Sequence, residues 1–184
     1  MTKEFRQDRG LSTERVKIFI LFFLPFIFLS CTDDSPTNTQ ISSLKGVFIL
    51  YQSSTLNADY AYFDAETENI TNDVFRTSNG FPLGFSPGDM HIYNNKDLFI
   101  TCMGSSPTDG GIYKINADNN LLIHSLQFGT NPYGFTIDNN QIYSANVGSD
   151  YVTKLNSDLN IIKDSISVGS MPSNVLYGFN QYIV

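Results

Sequence analysis

The sequence predicts an all-β protein assembled from repeated four-stranded sheets, and three observations support this. Segments recur 40 residues apart: Gly129-Thr130-Asn131-Pro132 returns as 169–172, and Lys114-Ile115-Asn116-Ala117-Asp118 returns as 154–158. After residue 40 the apolar residues form short runs and two-residue alternations rather than a helical periodicity. The composition, with 15 Phe, 10 Tyr, 13 Gly and no Trp, is typical of short aromatic strands joined by tight turns.

Four strands are predicted within the clearest repeat, at Tyr133–Ile137, Gln141–Asn146, Tyr151–Asn156 and Ile161–Val168. Asn and Asp residues between them tolerate left-handed backbone and therefore favour turns. Four antiparallel strands in about 40 residues form one blade of a β-propeller. We therefore expect about three to three and a half blades, at about 45–88, 89–131 and 132–171, with the start of another at 172–184.

The first thirty residues have the order of a signal peptide. Five basic residues lie at positions 3–17, before a twelve-residue apolar run at Ile18–Leu29. That run is too short to span a bilayer stably but falls within the about 7–15 residues of a secretory core. We expect residues 1–30 to be removed.

The segment Phe28-Leu29-Ser30-Cys31 resembles the lipobox of bacterial lipoproteins, with Phe28 in place of the usual Leu. The resemblance implies that Cys31 carries the lipid anchor. The polar, Pro-containing segment that follows predicts a flexible tether over 31–44. Asp33-Asp34 resembles the export signal of some surface-exposed lipoproteins, and solvated linker charge explains the pair equally well. The expected location is the outer membrane, either at the cell surface or on the periplasmic face.

The charge balance argues against a nucleic-acid partner. From Cys31 onward six basic residues face fifteen acidic ones, a net charge of −9. Such a surface repels phosphate backbones and anionic lipids rather than attracting them.

Residues 46–184 resemble a known repeat family. Ile142-Tyr143-Ser144-Ala145-Asn146, a Gly-Ser-Asp loop, a strand ending at Asn156 and Val168-Gly169-x-x-Pro172 resemble the Tyr-Val-Thr-Asn repeats of bacterial surface propellers. The segment from Asn57 to Gly84 is similar to the first blade of lipid-anchored propellers. The resemblance implies a ring of seven blades when complete. Some members of that group capture vitamin B12 and pass it to a TonB-dependent transporter. The resemblance therefore implies two partners for this chain, a cobalamin-like small molecule and a TonB-dependent transporter.

No catalytic or metal-binding pattern was found in the sequence, and no cofactor is expected. His91 and His124 lie on predicted strands without a recognisable metal-ligand spacing, and Cys102 in a strand is typical of buried packing. The chain has no Gly-x-Ser-x-Gly motif. Binding is therefore favoured over catalysis, and an envelope propeller enzyme resembling a lactonase or dehydrogenase is the alternative.

Ligands usually sit where the loops between blades and the loops between second and third strands share one face. Side chains there can stack on and hydrogen-bond a medium-sized molecule. The predicted ligand-binding residues are Asn57, Met103, Asn131, Tyr133, Asn146, Asp150, Met171 and Asn174. Turn formation and blade packing are the other explanation for each of them.

The last residues, 181–184, fall inside the predicted second strand of a fourth blade. An unpaired apolar sheet edge is something natural proteins avoid. We expect further blades to follow, and the alternative is that partial rings assemble with one another.

Overall fold

The computed structural model of the chain describes residues 45–178 and the backbone of 181–183. The predicted signal peptide, Cys31 and the predicted tether lie outside the described residues. Within them the elements are β1 Gly46–Gln52, β2 Ala58–Asp64, β3 Ile70–Thr71, α1 Val74–Asn79, β4 Pro87–Tyr93, β5 Asp97–Cys102, β6 Gly111–Asn116, β7 Leu122–Gln127, β8 Pro132–Asp138, β9 Gln141–Asn146, β10 Tyr151–Asn156, β11 Ile161–Ser167, β12 Leu176–Gly178 and β13 Gln181–Ile183.

The strands form successive antiparallel sheets. Strands β4-β5-β6-β7 make one four-stranded sheet and β8-β9-β10-β11 make a second. Strand β4 contacts β8, and β8 contacts β12, so the first strands of neighbouring sheets lie side by side. This is the arrangement of propeller blades around an axis, and it confirms the predicted all-β fold. The four strands predicted in the clearest repeat match the structure to within one residue at each end.

The first blade differs from the four strands that the sequence predicts. Within the described residues its sheet contains three strands in the order β1-β2-β3, followed by the short helix α1. We name the strands of a complete blade A to D along the chain, with A innermost.

Repeated backbone hydrogen bonds identify which of these strands the first blade contains. The residue that follows each C strand donates its N–H to the residue that precedes strand B of the same blade. These bonds are Ala65 N to Lys45 O at 3.1 Å, Ala117 N to Lys96 O at 2.8 Å and Ser157 N to Asn140 O at 3.1 Å. Strands β1, β5 and β9 are therefore equivalent B strands. The first blade contributes B, C and a two-residue D, and strand A is the one that its described residues do not include.

The turn between strands C and D repeats because one side chain builds it. Asp64, Asn116 and Asn156 each accept hydrogen bonds at Oδ1 from backbone N–H groups two to four residues later. This is the turn chemistry that Asp and Asn side chains favour. The equivalence of Asp64 with the two asparagines fixes the first blade in register with the others.

Helix α1 is an element that the sequence periodicity did not predict. Buried Asp59 on β2 accepts hydrogen bonds from Phe75 N at 3.0 Å and Arg76 N at 3.3 Å, which satisfies the first turn. Burial raises the pKa of this carboxyl, although the backbone N–H donors oppose the shift. Gly80 ends the helix with φ +78°, a backbone conformation in which glycine carries no Cβ penalty. A long-range contact, not local periodicity, therefore forms this helix.

The core lies between blades. One cluster joins the first and second blades around Tyr60, Phe75 and Ile100. A second joins the second and third blades around Phe99, Ile112 and Phe135. Burying side chains of this size stabilises each boundary by about 1.5–3 kcal/mol per residue relative to exposure. No helix in the described part of the chain has the length and apolar character needed to cross a membrane.

Candidate functional site

One face of the array is built by two kinds of segment that alternate along the chain. Linkers between blades (84–86, 128–131 and 168–171) lie beside the loops between strands B and C (53–57, 103–110 and 147–150). We call this surface the loop face. It is the face on which the sequence predicted the ligand site.

Backbone hydrogen bonds join these segments in a repeating order. A proline follows each linker, and the last linker residue donates its backbone N–H to the preceding B–C loop. These bonds join Ser86 N to Leu56 O, Asn131 N to Pro107 O and Met171 N to Ser149 O, at 2.8–2.9 Å. The carbonyls of Ser86 and Asn131 accept from the following loop at Met103 N and Val147 N. All three linker residues have positive φ, between 52° and 57°. The loop face is thus a continuous hydrogen-bonded surface.

Five of the predicted ligand-binding residues lie on this surface. Asp150 and Met171 are exposed, with Met171 at 70%, while Asn57, Met103 and Asn131 are half-buried. Asn131 and Met171 occupy equivalent positions in successive linkers. A ligand can therefore reach these side chains. They belong to successive linkers and loops along the loop face and do not surround a single point.

Asn146 lies beneath that surface. It is fully buried, its Oδ1 accepts from Thr130 N at 3.2 Å, and its Nδ2 donates to Thr153 Oγ1 at 3.0 Å and Tyr151 O at 3.2 Å. The positive φ of Gly129 places this linker backbone against the same amide. The Asn146 side chain is engaged inside the blade, so it supports the loop face from below.

The remaining two predicted residues lie where successive inner strands begin. Tyr133 is 38% exposed at the start of β8, and Asn174 is exposed just before β12. The strands approach closely here: a Cβ added to Gly88 would lie 2.9 Å from Tyr133 Cα, and one added to Gly134 would lie 2.5 Å from Asn174 Oδ1. The structure therefore brings Tyr133 and Asn174 into one row with the start of β4.

That row contains a carboxyl–imidazole pair, Asp89 and His91 on β4. Asp89 Oδ2 lies 3.1 Å from His91 Nε2 and also accepts a hydrogen bond from Phe135 N at 3.2 Å. The two side chains are 30% and 41% exposed, respectively. Burial by itself raises the pKa of Asp89, but the hydrogen bond and charge of His91 and two backbone N–H donors outweigh it and hold the pKa below its usual range. The carboxylate is therefore ionised beside a half-exposed imidazole.

Sequence reasoning missed this pair because it looked for metal-ligand spacings beside His91. A carboxylate two residues away on a strand lies on the same face as the histidine, and that signal was present. The second signal is the repeat itself: Pro87, Pro132 and Pro172 are each followed two positions later by Asp89, Gly134 and Asn174. The inner strands β4 and β8 also carry a bulge immediately after the proline. Bulges re-aim side chains and occur often next to functional sites.

Within residues 45–178, no group of three or more His, Cys, Asp and Glu side chains is placed to hold a metal ion. His124 is exposed on the outer strand β7. Cys102 is buried, as the sequence predicts, and burial raises the pKa of its thiol to about 12. The polar side chains at the inner strands are therefore the carboxylate of Asp89, the imidazole of His91, the phenol of Tyr133 and the amide of Asn174. We call these four residues the inner-strand site.

Comparisons with known proteins support the fold. No protein-family model matches the chain, and no curated protein does either. Among solved structures, a quinonprotein alcohol dehydrogenase-like protein from Bacteroides thetaiotaomicron superposes with a TM-score of 0.54 at 20% identity, over 72% of this chain and 31% of that one. A streptogramin B lyase gives a TM-score of 0.47 at 16% identity, over 74% of this chain and 46% of that one.

The chain thus spans less than half the length of either of these proteins. At 20% identity, the similarity to the dehydrogenase-like protein shows the fold and not the activity. The class that the fold defines is that of the β-propellers.

Proposed function

We propose that the chain is a lipid-anchored β-propeller of the bacterial outer membrane that binds a small molecule at the inner-strand site. The observation that carries this proposal is that Asp89, His91, Tyr133 and Asn174 lie on, or just before, three neighbouring inner strands. Small-molecule sites typically combine a small number of polar groups with aromatic side chains, and these four residues offer both. An ionised carboxylate that remains partly exposed supports the same interpretation.

Nutrient capture is the function that this proposal favours. A surface lipoprotein that binds a solute can present it to a transporter in the same membrane, and the family resemblance implies a cobalamin-like ligand and a TonB-dependent transporter. The phenol of Tyr133 offers a ring for stacking, while Asn174 and His91 offer hydrogen-bond donors.

The binding test uses the full chain and cyanocobalamin as the first probe. Isothermal titration should show saturable binding that weakens at least tenfold in Tyr133→Ala and in His91→Ala, because both remove exposed contact groups. The matched control is His124→Ala, which removes an exposed histidine from the outer strand β7. Cyanocobalamin binding that is absent, or equal in all three variants, contradicts cobalamin capture at this site.

The broader binding proposal is tested with a fragment library and NMR chemical-shift mapping. Fragments should cluster at inner-strand residues and lose affinity in the same two variants. Fragments that cluster elsewhere on the loop face, such as at Asp150 and Met171, would move the site to the rim. A library without any hit at the inner strands would overturn the proposal.

The proposed anchor has a separate test. Cells expressing the chain with Cys31 should incorporate radiolabelled palmitate into a membrane-bound product. Cys31→Ala should abolish the label and release the protein, because the lipid attaches to that sulfur. A label that persists in Cys31→Ala would contradict the assignment of the anchor to this residue.

Envelope catalysis is a second candidate, which one observation favours. The Asp89–His91 geometry, with 3.1 Å between Oδ2 and Nε2, is that of a carboxylate orienting an imidazole for general acid–base chemistry. Turnover of a lactone or alcohol substrate that falls about 100-fold in His91→Asn, with substrate binding retained, would favour catalysis. Saturable binding without turnover would favour the binding module.

A further inference from the structure

We propose that Asn79–Gly80, at the end of helix α1, is a deamidation site that the fold keeps closed and that reacts when α1 leaves the first blade. Asn79 is followed by glycine, and no other asparagine in the sequence is. Glycine has no Cβ to hinder its backbone nitrogen. This pair is therefore the position at which the backbone nitrogen reaches the preceding side-chain amide most readily once the chain is free to move.

The covalent step uses only these two residues and water. The backbone nitrogen of Gly80 attacks Cγ of Asn79, the new N–Cγ bond closes a succinimide ring, and the Cγ–Nδ2 bond breaks. The Gly80 amide proton and the Asn79 amino group leave together as ammonia. Water then opens the ring, at Cγ to give aspartate or at the main-chain carbonyl to give isoaspartate. Neither product regains the amide, so the reaction is a permanent record of opening.

The attacking nitrogen is engaged in the folded chain. The N–H of Gly80 donates to Arg76 O at 2.8 Å and closes the last turn of α1. The next residue is held as well, since the ring of Phe81 packs edge-on against buried Phe75 with 5.4 Å between the centroids. The backbone on both sides of the Gly80 nitrogen is thus fixed in a helix-ending conformation.

The amide that would be attacked is engaged too. Asn79 Nδ2 donates to Phe75 O and Asn120 O, both at 2.9 Å, and Asn79 Oδ1 accepts from Leu122 N at 2.9 Å. The last two partners belong to the second blade, so this amide joins the two blades. Bringing Cγ to the Gly80 nitrogen requires these bonds to break, and the folded state therefore opposes the reaction.

Release of α1 is the step that opens the site. The helix has six residues, too few to persist without contacts, and its first turn depends on buried Asp59. Local opening of such a segment costs less free energy than global unfolding. The deamidation rate of Asn79 should therefore follow the fraction of time for which α1 is detached from Asp59.

The product no longer fits the place that Asn79 occupies. An ionised carboxylate donates no hydrogen bond, so it would leave Phe75 O and Asn120 O without their donor and set its negative charge beside them. Asn120 is 3% exposed, and its side chain accepts from Tyr60 OH inside the core between the first and second blades. An opening that ends in deamidation thus loosens this boundary for the remaining lifetime of the molecule.

Peptide mapping by tandem mass spectrometry tests the proposal on the full chain at pH 8. Conversion of Asn79 should be at least tenfold slower in buffer than in urea, because the fold holds both reacting groups. Asp59→Asn keeps one acceptor oxygen for the first turn of α1 and should speed the reaction in buffer at least threefold. The matched control is Asp164→Asn, which changes an exposed residue of the third blade and should leave the rate unchanged.

Two further variants separate chemistry from folding. Tyr51→Phe removes the hydroxyl that bonds Asp73 just before α1, so it should speed the reaction in buffer even if Asp59→Asn fails to fold. Gly80→Ala should slow the conversion at least tenfold in urea, where only the added Cβ matters. Equal conversion in buffer and in urea, or a rate in buffer that neither Asp59→Asn nor Tyr51→Phe raises, overturns the proposal.

Hydrogen exchange tests the consequence of deamidation separately. Asn79→Asp reproduces the aspartate product and should speed exchange of the Thr77 and Gly80 amides, which close the turns of α1, at least fivefold. The matched control is Asn160→Asp, an exposed asparagine of the third blade, which should leave these amides unchanged. Unchanged exchange in Asn79→Asp would contradict the loosening of the boundary that the proposal requires.

Discussion

Asp89 on the inner strand of the second blade accepts a hydrogen bond from the backbone N–H of Phe135 on the inner strand of the third, with 3.2 Å between Oδ2 and N. Thr101 strengthens the same boundary by donating its hydroxyl to Tyr133 O. Side chain-to-backbone bonds therefore join neighbouring blades at their inner ends, while apolar packing joins them further out.

Replacing Asp89 with Asn should change the acid end of the stability curve. A carboxyl whose pKa is lowered by folding stabilises the native state above its unfolded pKa, about 3.9, and this contribution is lost as the pH falls through the folded value. The pKa of Asp89 is lowered chiefly by His91, against the opposing effect of burial. We expect Asp89→Asn to cost about 1–2 kcal/mol at pH 7 and clearly less near pH 3.

Urea unfolding at a series of pH values measures this difference. The control is Asp118→Asn, since Asp118 is exposed in the turn between β6 and β7. An Asp89→Asn penalty of equal size at pH 7 and pH 3 would show that the charge of Asp89 does not stabilise the fold.

Truncation of Asn146 should destabilise the protein much more than truncation of Asp150, although the sequence placed both residues in the ligand site. Asn146→Ala leaves Thr130 N and Thr153 Oγ1 without their partner inside the blade, which costs about 1–3 kcal/mol. Asp150→Ala removes an exposed side chain and should change stability by less than about 0.5 kcal/mol. Thermal unfolding of the two variants measures the contrast, and equal melting temperatures would contradict the structural role of Asn146.

The repeat pattern made most of the fold predictable. Asn94, Asn95, Asn139 and Asn140 all adopt positive φ in the turns between strands A and B, as the tolerance of asparagine for this conformation predicts. Leu159 and Met171 also adopt positive φ, although leucine and methionine do not favour this conformation. The repeated hydrogen bonds of the turns and linkers impose the conformation there.

The candidate site was less predictable than the fold. Met171 and Asp150 could be placed on the loop face because their linker and loop belong to the repeat. The buried state of Asn146 could not, since a hydrogen-bond network spanning Thr130 to Thr153 decides it. Helix α1 was not predicted for a similar reason, because Asp59 accepts hydrogen bonds from its first turn across 16 and 17 residues of sequence.

Ser144 is a residue whose replacement should stabilise the protein. Its Oγ is the buried side-chain oxygen for which the described part of the chain offers no hydrogen-bond partner. A buried polar group without a partner costs about 1–3 kcal/mol, so Ser144→Ala should raise the unfolding free energy by about 1 kcal/mol. Calorimetry measures the rise. The matched control is Ser149→Ala, which loses the hydrogen bond from Ser149 Oγ to Asn146 O and should not gain stability. A Ser144→Ala protein whose melting temperature is equal to or below that of the unsubstituted protein would contradict the prediction and indicate that the Ser144 hydroxyl has a partner.

Thiol chemistry separates the folded state from the unfolded one and reports on the anchor at the same time. Cys102 is 1% exposed, and burial raises the pKa of its thiol to about 12, so the reactive thiolate is scarce and shielded at pH 8. We expect Cys102 to react with a chromogenic disulfide reagent at least 100-fold more slowly in the native protein than in urea.

The number of thiols tests the anchor. The membrane-extracted protein should contain one titratable thiol per chain in urea, because a lipidated Cys31 has no free thiol, whereas the unprocessed chain should contain two. Rapid native labelling of the Cys31→Ser variant would contradict the burial of Cys102, and two thiols in the membrane-extracted form would contradict lipidation at Cys31.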